Sequence, residues 1–83
     1  MNGKKNKVTV KIFGEIYSLK SDMEIDQVVK VATFVDERMK KISKTSLSLS
    51  PTRVAILSAL TIAEEYLKLE HDYKQLIKMV EEE

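Results

Sequence analysis

The feature that most constrains this chain is its C-terminal part, residues 51–82, which contains no glycine, no proline after Pro51 and no cluster of turn-forming residues. Such a segment predicts one continuous helix of roughly 48 Å at 1.5 Å per residue. A compact globule of 83 residues has a radius of gyration of only about 12 Å. We therefore expect that the chain cannot cover this helix by itself.

Apolar residues recur along the helix at alternating spacings of four and three. This set, named here the heptad seam, consists of Ala55, Ala59, Ile62, Tyr66, Leu69, Tyr73, Leu76 and Val80. A heptad pattern over about four repeats is typical of a left-handed coiled coil with another chain. In the first half of the helix a second apolar stripe adds Ile56, Leu60, Ala63 and Leu67. The sequence thus predicts an oligomer interface that comprises the heptad seam and Ile56.

Residues 8–20 predict a β-hairpin, because they alternate with period two, are rich in β-branched residues and are interrupted at Gly14. A loop at positions 14 and 15 with glycine first favours a type II′ turn. That turn predicts pairing of Phe13 with Ile16 and of Val10 with Leu19. An isolated hairpin is barely stable in water, so we expect the helices to cover one of its faces. The residues expected on that face are Val10, Ile12, Tyr17 and Leu19.

A first helix is predicted over residues 22–43. Ser21 and Glu24 have the spacing of a capping box, in which each side chain bonds a free backbone amide of the first turn. The apolar stripe that follows consists of Ile25, Val28, Ala32, Val35, Met39 and Ile42. A Ser-rich connection then leads to Ser50 and Pro51, which predict the cap and first residue of the second helix.

These elements together predict an α+β fold that is mainly α, with an N-terminal β-hairpin, one medium helix and a long C-terminal helix forming an intermolecular coiled coil. We expect a flexible tail at residues 1–6, a globular head at 7–67 and a coiled-coil tail at 68–83. The head would contain the hairpin, the first helix and the first half of the second.

Composition argues against several classes of function. There is no cysteine and only one histidine, so we expect neither a metal centre nor a cofactor. Adjacent carboxylates such as Glu64 and Glu65 could suggest acid–base catalysis, but a rod offers no concave pocket, so we expect no enzyme. The polar N-terminus and the lack of a long uncharged apolar run predict a cytoplasmic protein without a membrane span.

Three stretches together resemble the ZapA family of bacterial cell-division proteins in its short form. They are Val-Thr-Val-Lys-Ile-Phe-Gly at 8–14, Val-Asp-Glu-Arg-Met-Lys-Lys-Ile at 35–42 and Ala-Ile-Leu-Ser-Ala-Leu-Thr-Ile-Ala at 55–63. The resemblance covers about residues 7–80. It implies a head that forms a homodimer, a coiled-coil tail that joins two dimers antiparallel into a homotetramer, and binding to the tubulin-like protein FtsZ. Such an assembly bundles filaments at the midcell division ring.

The resemblance also implies partner-binding residues. Lys41, Lys44 and Arg53 match the charges that the family carries around the loop between the two helices. Members often have a basic or polar residue straight after the turn glycine, where this chain has Glu15, and Lys11 lies nearby on the hairpin. Glu15 reverses the charge that the family carries at its position. The alternative for Lys41, Lys44 and Arg53, together with Lys11, is an ordinary solvated surface.

A second class of function stays open, a coiled-coil adaptor or nucleic-acid-binding module that uses the basic N-terminal head. Residues 1–20 contain five lysines and a single acidic residue, Glu15, whereas the C-terminal part is acidic. The whole chain has a net charge of only +1, far from the strongly basic character of most nucleic-acid binders. Binding to nucleic acid is therefore the less favoured expectation.

Overall fold

The computed structural model of the protein describes residues 5–81 and contains four elements. They are β1 (Asn6–Ile12), β2 (Glu15–Ser21), α1 (Ile25–Thr45) and α2 (Pro51–Glu81). The order and type of these elements confirm the predicted α+β fold with a hairpin, a medium helix and a long helix. Of the predicted tail at 1–6, residues 1–4 lie outside the described residues, and Asn6 is the first residue of β1.

The predicted register of the hairpin is wrong by two positions. Val10 lies opposite Tyr17, and Val8 lies opposite Leu19. The turn is formed by Phe13 and Gly14, whose φ angles of 52° and 83° are both positive. Two positive φ angles are the pattern of a type I′ turn, whose twist matches that of the strands, and not of the type II′ turn that the glycine predicted.

A shift by two positions leaves every side chain on its predicted face, because strand side chains alternate with period two. The face towards α1 still carries Val10 and Ile12 from β1 and Tyr17 and Leu19 from β2. Val8 joins them and is buried together with Val10 against α1. The hairpin therefore packs as expected although its turn was predicted wrongly.

The start of α1 differs from the predicted capping box. The N-cap is Glu24, which makes no side-chain capping bond, and the helix begins at Ile25. Ser21 still belongs to β2, and its Oγ accepts the N–H of Met23 at 3.0 Å. The box is absent because Ser21 completes the strand ladder. Val28, Ala32 and Met39 of the predicted stripe are buried.

The start of α2 agrees with the prediction. Ser50 Oγ accepts the N–H of Arg53 at 3.3 Å, and the carbonyl of Ser50 accepts the N–H of Val54 at 2.9 Å. From Pro51 the helix runs to Glu81, and the last predicted residue, Glu82, lies outside the described range.

The face of α2 towards α1 is formed by Val54 and Ser58, each only 1% exposed. Neither belongs to the heptad seam or to the second apolar stripe. Ser58 is satisfied within its own helix, because its Oγ donates to the carbonyl of Val54 at 2.7 Å. Ser58 also lines the cleft between the helices, beside Val35 and Met39.

The molecule is thin and open. Its principal extents are 51 × 44 × 15 Å, and its radius of gyration is 16.9 Å, against about 12 Å for a compact chain of this length. The hairpin packs on α1, and α1 packs on α2. Among residues 5–81, six apolar side chains are buried: Val8, Val10, Val28, Ala32, Met39 and Val54.

Candidate assembly interface and partner surface

The heptad seam is almost entirely open to solvent within one chain. Tyr66 is 60% exposed, Leu69 70% and Tyr73 63%. Ala55, Ile56, Ala59, Leu76 and Val80 are also exposed, and Ile62 is half-buried. The inward face of α2 borders the heptad seam, and Ser58 lines one cleft together with Ala59 and Ile62. The rest of residues 5–81 therefore reaches only the margin of the seam and leaves most of it uncovered.

Two open apolar clefts continue the seam into the head. One has a volume of about 430 Å³ and lies between the helices, where Val35 and Met39 face Ile62 and Tyr66. The other has a volume of about 610 Å³ and lies between the hairpin and the first turns of α2, beside Tyr17 and Met39. Met39 lines both clefts and so joins them. The two clefts and the heptad seam therefore form one continuous apolar surface, which runs from β2 along α2.

The angle between α1 and α2 is held by Arg38 and Glu65. The guanidinium makes two parallel bonds to the carboxylate, at 2.7 and 3.0 Å, and its carbon lies 5.3 Å from the centre of the Phe34 ring. Arg38 also lies 3.5 Å from Thr61 Oγ1. Hydrogen bonding lowers the pKa of the Glu65 carboxyl and raises that of the Arg38 guanidinium. Planar two-point pairing of this kind needs arginine, because lysine is a point charge.

The hairpin is tied to α1 by Asp36. Its Oδ1 accepts the backbone N–H of Phe13 at 2.7 Å, and its Oδ2 lies 2.9 Å from Lys40 Nζ. The Phe13 hydrogen bond is the main cause of a lowered pKa at Asp36, with smaller contributions from Lys40 and Lys11. Phe13 has a positive φ that non-glycine residues seldom adopt, and this bond helps to hold it there.

The structure places the predicted partner-binding residues in two separate regions, and all five are exposed. Lys41 and Lys44 lie near the end of α1, and Arg53 lies in the first turn of α2, so these three share one end of the molecule. Lys11 and Glu15 belong to the hairpin but not to one surface. Lys11 pairs with Ile16 on the outer face, whereas Glu15 pairs with Ile12 and lines the cleft beside α2.

Sequence reasoning missed Asp36, Arg38, Val54 and Ser58. Asp36 and Arg38 belong to the stretch that carries the family resemblance, and the structure gives both of them specific contacts. Nothing in the spacing of Asp36 revealed that it bonds the hairpin turn. Val54 and Ser58 could not be recognised as the inward face of α2, because the strongest apolar pattern of this helix lies on its exposed face.

No group of three or more acidic, histidine or cysteine side chains in residues 5–81 is arranged to hold a metal ion. No helix within this range is both long and apolar enough to cross a bilayer. What the structure does offer is an exposed apolar surface on a long helix.

The fold and this surface define a small assembly protein, in which a hairpin and a medium helix support a long helix with an unpaired heptad seam. The family model described as "Cell division protein ZapA" matches residues 8–83. A "Cell division protein ZapA" of Shouchella clausii is 38% identical over 73 residues, which is 88% of this chain and 94% of the relative. One of Bacillus thuringiensis is 32% identical over 74 residues, 89% of this chain and 83% of the relative. The chain belongs to the ZapA family of cell division proteins, which are non-enzymatic.

Solved structures agree with this assignment. A "ZapA mutant dimer from Geobacillus stearothermophilus" is similar with a TM-score of 0.76 at 32% identity, over 96% of this chain and 93% of that one. An "Unknown conserved bacterial protein from Pseudomonas aeruginosa PAO1" has a TM-score of 0.75 at 26% identity, over 93% of this chain and 86% of that one. The resemblance drawn from the three sequence stretches is thereby confirmed.

Proposed function

We propose that this protein binds FtsZ in the cytoplasm and bundles its filaments at the midcell division ring as a homodimer that pairs into a homotetramer. Membership of a cell-division family supports the process. The similar Geobacillus protein, which is described as a dimer, supports self-association. FtsZ itself comes from what the family resemblance implies.

The observation that carries the proposal is the unpaired heptad seam on an open, thin molecule. Burial of apolar surface stabilises a protein by about 25 cal/mol per Å². The side chains of Leu69, Tyr73 and Leu76 are exposed in the single chain, so they contribute this free energy only when a second chain covers them. The continuity of the seam with the two clefts gives a partner chain one uninterrupted surface to pack on.

Bundling then follows from geometry and multivalency. An assembly with heads at both ends of a rod presents identical contacts in opposite directions. Once one head is bound, the second is held near a neighbouring filament, and a weak contact becomes effective at the high local concentration. In this proposal Lys41, Lys44 and Arg53 make the filament contact, because they share the end of the molecule that the tail leaves free.

The test is sedimentation of purified FtsZ filaments with the protein, with bundling followed by light scattering. The triple variant Lys41→Ala, Lys44→Ala, Arg53→Ala should keep its helicity and oligomer mass but co-sediment less, most visibly at high salt, where screening weakens the remaining charges. Lys20→Ala, which removes an exposed charge from the hairpin, is the matched control. Undiminished binding of the triple variant would contradict the assigned contact, and no binding of the unmodified protein would contradict the function.

A gel shift with DNA at moderate salt separates this proposal from a nucleic-acid-binding module. Binding that depends on phosphate contacts weakens steeply as salt rises. We expect no shift at a protein concentration that saturates FtsZ.

A further inference from the structure

The end of the molecule where α1 meets α2 combines unbalanced positive charge with exposed apolar side chains. Residues 38–63 contain five basic side chains and no acidic one. Arg38 is paired with Glu65 and Lys40 with Asp36. Lys41, Lys44 and Arg53 form no ion pair within the described part of the chain. Lys41 is nevertheless near enough to Glu65 to contribute to the lowered pKa of that carboxyl, so Lys44 and Arg53 carry the charge that no acidic group balances.

The connection between the helices presents a leucine at its tip. The N–H of Leu49 donates to the carbonyl of Ser46 at 3.2 Å, which closes a tight turn with Leu47 at its second position. Leu47 is 87% exposed, the highest value among the large apolar residues of the described chain. The tips of turns normally carry polar residues or glycine. Leu47 lies between two lysines and an arginine and is not buried by this chain, so its position favours contact with another molecule.

Beside this turn lies a shallow cavity of about 380 Å³. Its lining residues are Leu49, Arg53, Ile56 and Leu57, so its walls are apolar and its one charged group is a guanidinium. We name Lys41, Lys44, Leu47, Leu49, Arg53 and Leu57 the loop-end surface.

The loop-end surface stays accessible when the heptad seam is paired. Arg53 and Leu57 each lie two residues from Ala55, and at 3.6 residues per turn this places them roughly 160° around α2 from the seam. A second chain packed on the seam therefore approaches the opposite side of the helix. Ile56 lies at the border of the two surfaces, because it lines the cavity and belongs to the predicted oligomer interface. The other residues of the loop-end surface lie away from the seam, so one molecule can assemble and use that surface at the same time.

Building on the proposed function, we propose that the loop-end surface binds an acidic polypeptide segment that carries a large apolar side chain. The carboxylates of that segment face Lys41, Lys44 and Arg53. Its apolar side chain enters the cavity beside Leu49 and Leu57. Leu47 then covers the bound side chain. The positive charge supplies attraction and orientation, and burial of the apolar side chain supplies the affinity that charges at an exposed surface lack.

The probe is a labelled acidic peptide with two central leucines, measured by fluorescence anisotropy. Two analogues separate the two kinds of contact: one with glutamine and asparagine for the acids, and one with serine for the leucines. We expect each analogue to bind at least about fivefold more weakly, since burial of one leucine corresponds to about tenfold or more in affinity. Equal binding of all three peptides would overturn the proposal.

Two variants of the protein test the same contacts by changing the loop-end surface instead of the peptide. Leu47→Ser and Arg53→Gln should each weaken binding of the acidic leucine peptide about fivefold to tenfold with unchanged helicity. Met79→Ser, which removes another exposed apolar residue, and Lys20→Gln, which removes an exposed charge, should bind as the unmodified protein does. Unchanged peptide affinity in both test variants would overturn the proposal.

The same variants distinguish the other possible occupants. A lower oligomer mass of Leu47→Ser would show that a second copy covers the leucine, and Leu47-dependent binding to phosphatidylserine vesicles without peptide binding would show a lipid surface; either result overturns the proposal.

Parallel sedimentation with FtsZ separates this inference from the function on which it builds. If FtsZ binds the unmodified protein and both variants equally, the function stands and the loop-end surface is not the contact. If FtsZ does not bind, while the peptide binds in a way that depends on Leu47 and Arg53, the surface stands and the function fails.

Discussion

Arg38 and Glu65 join the two helices side by side, with Nη1 2.7 Å from Oε2 and Nη2 3.0 Å from Oε1. The pair bridges residues 27 positions apart in the sequence. It joins the second half of α1 to the middle of α2.

Replacing Arg38 by lysine should lower the midpoint of thermal unfolding, although the charge is retained. An ammonium group cannot make two parallel bonds to Glu65 or stack on Phe34 as the planar guanidinium does. Circular dichroism melts at low salt measure the effect, and Arg53→Lys is the control because its side chain lies in no ion pair of the described chain. Identical melts for Arg38→Lys and the unmodified protein would mean that the pair does not hold the helices.

Acid should destabilise the fold through Asp36 and Glu65. Their pKa values are lowered in the folded protein from ordinary values of 3.8 and 4.5, so each contributes stability that is present above the ordinary value and lost as the pH falls through the folded pKa. Below about pH 5 the free energy of unfolding should therefore decrease.

The double variant Asp36→Asn, Glu65→Gln tests this pH dependence. Its free energy of unfolding should be lower at neutral pH and fall less on acidification, because neither side chain titrates. Glu37→Gln, a change at an exposed neighbour on α1, should leave the pH profile as it was. Denaturant unfolding at a series of pH values provides the measurement, and parallel profiles for the double variant and the unmodified protein would refute the assignment.

Leu69→Glu should weaken self-association by at least about tenfold, since a carboxylate at a buried seam position loses its water without gaining a partner. Because Leu69 is 70% exposed in the single chain, its replacement acts on the seam and not on the packing within the chain. Ile62→Glu should act in the same direction but also disturb the cleft between α1 and α2. Sedimentation equilibrium gives the mass, with His71→Glu on another side of α2 as control. An unchanged mass of Leu69→Glu would place the seam elsewhere.

Truncation after Leu67 should separate filament binding from bundling. It removes Leu69, Tyr73, Leu76 and Val80 from the seam and leaves heads that still pair through the first half of α2. We expect co-sedimentation with FtsZ to persist while light scattering from bundles is lost. Bundling by the truncated protein as strong as that of the full chain would mean that the tail is not the bridge.

Gly14→Ala should destabilise the hairpin by about 1 kcal/mol, because an L-residue is strained in the left-handed region. Its φ is 83°, and an added Cβ would meet no atom within 4 Å, so the loss comes from the backbone and not from a clash. Ser18→Ala on the exposed face of β2 is the control. Equal denaturant midpoints for the two variants would contradict the strain.

The elements could be predicted from the sequence because each has a strong periodic signal, and the errors arose where a local signal competed with another signal or with a distant contact. The glycine favours a turn that begins at Gly14, but Phe13 adopts a positive φ, and its amide donates to Asp36. That bond joins residues 23 positions apart, and no local rule contains it. The spacing of Ser21 and Glu24 favours a helix cap, but Ser21 is the last residue of β2.

The candidate surfaces were predictable to different extents. The heptad pattern predicted the exposed seam because the spacing of apolar residues that is typical of a coiled coil can be read from a single chain. The inward face of α2 escaped because Val54 and Ser58 form a shorter and less apolar pattern than the seam. The cavity beside Leu49 and Arg53 depends on how the connection folds back, which periodicity does not describe.

The small core of a single chain predicts that folding and assembly are coupled. Six buried apolar side chains among residues 5–81 give a lone chain little to oppose the entropy of unfolding, so most of the stabilising burial belongs to the encounter between chains. By mass action the folded population then rises with the amount of protein present. A cell that makes too little of it would hold unfolded chains open to proteases, so the abundance of this protein sets not only how many assemblies exist but also whether each chain survives.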